Sequence, residues 1–130
     1  MHNEQRLTRI FLWIGAAFFL FEFVLHLFGL PILEHDKIFL LTHDRYIALF
    51  ALTYAALLLL VSSDVRKYAT LFKMTMVGIL FAMLIAASIS WNGGYVSVFP
   101  VENLDKDLST LGWGFLLWYL LTLYFFFTKK

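Results

Sequence analysis

The sequence predicts an all-α integral membrane protein, a four-helix bundle with both termini cytoplasmic. Two observations carry the class. Of 130 residues, 62% are hydrophobic and only 15% are charged, against roughly 25% charged in an ordinary soluble domain. The apolar residues also gather into four runs, each near the ~20 residues that an α-helix needs to cross a ~30 Å hydrocarbon core. A third observation, the placement of lysine and arginine, sets the expected orientation.

The spans are expected at about Ile10–Leu30, Asp44–Ser62, Tyr68–Trp91 and Thr110–Phe127, within one domain covering residues 1–130. The first follows Arg6 and Arg9 and stops at Gly29-Leu30-Pro31, a helix-ending signal. Its apolar run is longer than a signal-peptide core and no small-x-small site follows it, so an uncleaved anchor is expected. The second span starts beside Thr42 and Asp44, either of which suits an N-cap. "SSDVRK", residues 62–67, is a polar turn before the third span, which stops at the "NGG" of residues 92–94. Asp107 and Ser109 are candidate caps for the fourth.

With the N-terminus inside, the cytoplasmic side carries Arg6, Arg9, Arg66, Lys67, Lys73, Lys129 and Lys130, and the outside carries Lys37, Arg45 and Lys106. The excess inside is the expected bias. Most carboxylates fall outside: Glu34, Asp36, Asp44, Glu102, Asp105 and Asp107. Lys73, one turn inside the third span, has a stem long enough to reach the headgroups. A lipid bilayer is the expected surrounding. The net charge of +1 and the lack of a basic cluster with interleaved aromatics argue against nucleic acid. The chain has no cysteine, which excludes disulfides and thiolate metal sites.

The stretch that raises a chemical question is "FEFVLH", residues 21–26. Glu22 and His26 share one helix face. An ionised glutamate against lipid costs several kcal/mol, on the order of the price of any charge in hydrocarbon, so Glu22 should face other helices. The connection to the next span, "LEHDKIFLLTHDRY", supplies Glu34, His35, Asp36, His43, Asp44 and Arg45, of which His43 and Asp44 begin the second span at the membrane level where the first ends.

Four readings follow. A metal site at Glu22, His26 and His43, with Asp44, Asp36 and His35 as possible additional ligands, would suit copper, zinc or iron, since imidazole and carboxylate are present and thiolate is not. Haem b between His26 and His43 is disfavoured by Glu22 one turn away. A proton or cation path through Glu22 and His26 lacks titratable groups to continue it inward. In the structural reading, Glu22 pairs with His26 or Arg45, or bonds Thr53, Tyr54, Ser88 or Ser90, and joins helices.

Glu22, His26 and His43 loosely resemble the acid-x3-His…His arrangement of the C subunit of copper-containing membrane monooxygenases. Here the acid is Glu rather than Asp, and the interval to the second histidine is longer. The resemblance implies copper held by those three residues. "TRIFLWIGAAFFLFEFVLHLFG", residues 8–29, resembles helix one of DoxX-like four-helix membrane proteins through Arg9, Gly15, His26, Phe28 and Gly29. That resemblance implies four spans. It covers helix one alone, does not include Glu22, and transfers no residue role.

Small residues at Gly15, Ala16 and Ala17, at Ala48, Ala51 and Ala55, and at Gly78, Ala82 and Ala86 predict close helix approach. The fourth span, "GWGFLLWYLLTLYFFF", is bulky and aromatic nearly all round and suits lipid, a partner protein or a flat hydrophobic ligand such as a quinone, with lipid contact favoured. No nucleophile–base pair, phosphate loop or zinc-protease motif occurs. The expected function is therefore a structural or accessory subunit of a larger membrane complex, with other membrane subunits or further copies as partners and no catalytic activity of its own. The alternative is an exoplasmic-side metal-binding protein, redox or transport related.

Overall fold

The computed structural model describes residues 5–30, 41–91 and 104–130, and within the helices it leaves the side chains of residues 41, 43, 89–91 and 104–109 undescribed. The described residues form four helices: α1 (Arg6–Phe28), α2 (Leu41–Ser63), α3 (Ala69–Trp91) and α4 (Leu104–Phe127). All four are long and apolar enough to cross a membrane.

α1, α2 and α4 begin before the expected spans. α1 begins at Arg6 rather than Ile10, and α4 at Leu104 rather than Thr110. Apolarity marks where a helix enters lipid, whereas hydrogen bonding continues into the interface. Thr42, Asp44, Asp107 and Ser109 consequently lie inside their helices and are not caps. The glycine stop is confirmed: α1 ends at Gly29, whose φ of 65° is left-handed, and Leu30 N–H donates back to the Leu25 carbonyl at 3.0 Å. The turn between α2 and α3 is held by Asp64, whose side chain accepts from the Lys67 N–H at 3.1 Å.

α1 packs most extensively on α2, and contacts also join α1 to α4, α2 to α3 and α3 to α4. At one end of the molecule Thr8 N–H donates to the Lys130 carbonyl at 2.8 Å and its hydroxyl does so at 3.0 Å. The start of α1 therefore lies against the end of the chain. The main apolar core sits towards this end. It consists of Leu12 and Ala16, Leu58 and Val61, Val65, Phe72, Met76 and Ile79, and Trp118, Tyr119 and Phe126. Phe72 stacks on Phe126 with ring centroids 3.9 Å apart.

Polar side chains tie the helices across this core. Trp118 Nε1 donates to the Phe11 carbonyl at 2.8 Å, Tyr119 Oη to the Met76 carbonyl at 2.8 Å, and Trp13 Nε1 to Ser62 Oγ at 3.0 Å. A carbonyl already used within a helix has a second lone pair to accept such a bond. In lipid these bonds are worth ~0.6–1.7 kcal/mol each.

The small-residue expectation holds for α1 and α2. Gly15, Ala16, Ala48, Ala51 and Ala55 are buried, and Ala17 is exposed. On α3, Gly78 is half-buried, but Ala82 and Ala86 are exposed. α4 is not uniform round its circumference. Trp118, Tyr119 and Phe126 face inward, while Trp113, Leu117, Leu120, Tyr124 and Phe127 face out.

Gly15 is required by close approach. A Cβ there would overlap the Trp118 indole and lie 3.0 Å from Leu58 Cδ1, whereas one at Gly112 would meet nothing within 4 Å. Gly15→Ala should therefore cost about 1–3 kcal/mol through overpacking. Gly112→Ala should be neutral or gain up to about 1 kcal/mol from helix propensity. Thermal unfolding of both variants in detergent checks the pair, and equal melting temperatures would contradict the packing described.

Candidate functional site

At the opposite end from the Thr8–Lys130 contact, α1 and α2 meet through three buried side chains. His26 Nδ1 lies 2.7 Å from Asp44 Oδ1, and His26 Nε2 lies 3.0 Å from Glu22 Oε2. Relative exposures are 9% for Glu22, 6% for His26 and 4% for Asp44, so the group is withdrawn from solvent.

Local structure brings them together. Glu22 and His26 are one turn apart on α1, and His26 lies in its last turn. Asp44 lies in the first turn of α2. The pairing of Trp13 with Ser62 at one end and His26 with Asp44 at the other makes the two helices antiparallel. The C-terminal dipole of α1 favours a cation at His26, and the N-terminal dipole of α2 favours an anion at Asp44. Glu22 is six residues before the end of α1, or roughly 9 Å along its axis.

Each of the two contacts needs one proton between imidazole and carboxylate. The imidazole also sits between the carboxylates, which meet opposite ring nitrogens. The donors thus diverge from one another, and among the described residues no group of three histidine, cysteine or acidic side chains is arranged to hold a metal ion. A metal or haem iron at His26 would have to displace one of its two carboxylate contacts.

Of the expected site residues, the fold joins Glu22, His26 and Asp44. His43 is in the first turn of α2, but its side chain is outside the described residues, as are all of His35 and Asp36. Arg45, an expected partner of Glu22, is exposed, and the adjacent Asp44 is the residue that turns inward. Thr53 donates to its own helix at the Leu49 carbonyl, 2.8 Å away. Sequence reasoning missed Ser62 and the Phe11 and Met76 carbonyls as partners of Trp13, Trp118 and Tyr119. The signal for these was the presence of Trp and Tyr inside apolar spans, where their N–H and O–H groups require acceptors.

Together the four apolar helices point to a lipid bilayer environment, and they are consistent with a multi-pass membrane protein. No known protein family matches the chain, no curated protein matches it, and no solved structure matches it.

His26→Leu should be destabilising by about 3 kcal/mol or more, since it leaves two buried carboxylates without the group between them. Glu22→Leu, His26→Leu and Asp44→Leu combined should return to within about 1 kcal/mol of the parent, because an apolar set replaces the buried charges. Denaturation in mixed micelles measures both. A neutral single variant would show that the three groups do not fasten α1 to α2.

Proposed function

We propose that the chain is a four-helix membrane bundle with cytoplasmic termini that serves as a structural or accessory subunit of a larger membrane assembly. One observation supports this above others. Among the described residues, the second half of α3 presents an exposed face rich in small residues. Ala82, Ala86 and Ala87 are exposed there, beside exposed Phe81, Leu84 and Ile85. Exposed Gly112 and Gly114 add small residues on α4. Lipid contact alone has no need of small residues, whereas membrane helix interfaces are enriched in them because they let backbones approach. The buried polar group fits the same role, since it is spent on joining α1 to α2. The excess of lysine and arginine at the end holding both chain termini supports the orientation.

The lack of native cysteine makes a direct test simple. Ala86→Cys, labelled in native membranes with a maleimide that carries a photoreactive group and then irradiated, should shift the 15.2 kDa chain to a discrete heavier species. Leu49→Cys, on the exposed face of α2, should stay at the monomer mass. An Ala86→Cys chain that remains monomeric would remove the support for a partner at α3.

The second reading is an exoplasmic-side metal site using Glu22, His26 and His43. Its support is the adjacency of Glu22 and His26 on one face of α1 and the place of His43 beside Asp44 in the chain; a metal there takes the place of the Glu22–His26 hydrogen bond. Elemental analysis of purified protein tests it. Stoichiometric copper, zinc or iron that disappears in His26→Ala would favour this reading, and none in the parent would end it.

A further inference from the structure

Midway along the helices, away from the Glu22–His26–Asp44 group, α2 places a hydroxyl against α3. Tyr54 lies ten residues after Asp44 and nine before Ser63 in the α2 span, roughly 14–15 Å from either end. Gly78 lies nine residues after Ala69 and ten before Ser88 in the α3 span. The two meet, since a Cβ at Gly78 would lie 2.8 Å from Tyr54 Oη. The Tyr54 ring packs on the core, and on Phe19 of α1 with centroids 5.6 Å apart. Those contacts hold the ring, and the bare backbone at Gly78 leaves room for its hydroxyl.

Other aromatic donors in the spans are satisfied within the chain. Trp13 bonds Ser62, Trp118 the Phe11 carbonyl and Tyr119 the Met76 carbonyl. The Tyr54 hydroxyl has no hydrogen-bond partner among the described residues, and its oxygen is not sealed inside the bundle. Tyr46, Trp113 and Tyr124 each lie within three residues of a span end, where headgroups and water supply partners. At the depth of Tyr54 the bilayer offers no water, and an unmet hydroxyl is costly in hydrocarbon. Its acceptor is therefore to be sought outside the chain.

We propose that Tyr54 docks a membrane helix of a partner by donating its hydroxyl proton to a side-chain amide or hydroxyl on that helix. Lipid tails carry no acceptor at this depth. A helix does, and the surface beside Tyr54 suits one. Gly78, Ala82 and Ala86 recur every four residues and so share a face of α3, and Ala82 and Ala86 are exposed. A helix laid along that face runs past the Tyr54 hydroxyl at Gly78. Small residues let its backbone approach, and a polar side chain then bonds across the interface. The inference rests on the accessory-subunit reading and adds the chemistry of the partner, an apolar span with a polar side chain near its midpoint.

Two measurements on the full chain test it. Tyr54→Phe should leave the melting temperature in detergent unchanged or raised, whereas Tyr119→Phe, which loses the bond to Met76, should lower it. The second uses a synthetic leucine–alanine membrane helix with a central asparagine, and its central-leucine counterpart, in phosphatidylcholine vesicles. Energy transfer from labelled peptide to labelled chain reads the affinity. The asparagine peptide should bind the parent roughly three- to fifteenfold more tightly, the range for one interhelical hydrogen bond in lipid. Tyr54→Phe should abolish that preference, and Tyr46→Phe, near the start of α2, should keep it. Equal binding of the two peptides to the parent would overturn the proposal, as would a preference that survives in Tyr54→Phe. A melting temperature lowered as much by Tyr54→Phe as by Tyr119→Phe would put the acceptor inside the chain and overturn it too. The peptides read the docking point, and the Ala86→Cys crosslink reads the accessory role, so either can fail alone.

Discussion

The placement of His26 between Asp44 and Glu22 is the constraint on which the far end of the α1–α2 pair depends. In hydrocarbon a polar side chain must find its partner within the protein. Here a cation-favouring helix end meets an anion-favouring helix end, and the imidazole bridges both carboxylates at 2.7 and 3.0 Å. A shift of α2 along α1 by one turn would move Asp44 about 5.4 Å and break the bridge. Together with the Trp13–Ser62 hydrogen bond at the other end, the polar group specifies the register of two helices whose intervening contacts, Ala48, Ala51 and Ala55 on α2 and Leu25 on α1, are apolar and tolerate sliding.

The opposite end is held by different physics. Gly15 lets the Trp118 ring lie against the α1 backbone, and the indole N–H then reaches the Phe11 carbonyl. Tyr119 repeats the arrangement on α3 at the Met76 carbonyl. Aromatic side chains thus supply both area and direction, since each buries a ring and ends in a donor that must be satisfied. Between these two ends α3 changes character. Phe72, Met76 and Ile79 belong to the core, whereas Leu80, Phe81, Leu84 and Ile85 are exposed.

The two ends also differ in charge. Arg66, Lys73 and Lys129 share one cleft beside the chain termini, while the buried acids Glu22 and Asp44 lie at the other end with one histidine.

By itself, the sequence determined the four helices, because a run of apolar residues long enough to cross lipid leaves the backbone little choice but to bond internally. It also determined that Glu22 and His26 share a face, since a spacing of four is set by helix geometry alone. The α1 stop at Gly29 was legible for the same local reason. Tertiary structure decided the rest. Asp44, rather than its exposed neighbour Arg45, meets His26, a choice set by how α2 is rotated about its axis. Ala82 and Ala86 carry the spacing of a packed stripe and are exposed, because the rotation of α3 turns Phe72, Met76 and Ile79 to the core instead. Lys129 joins Arg66 and Lys73 only because α4 returns to the turn between α2 and α3. Such encounters depend on helix rotation and on contacts far apart in the chain, and no local pattern of residues encodes them.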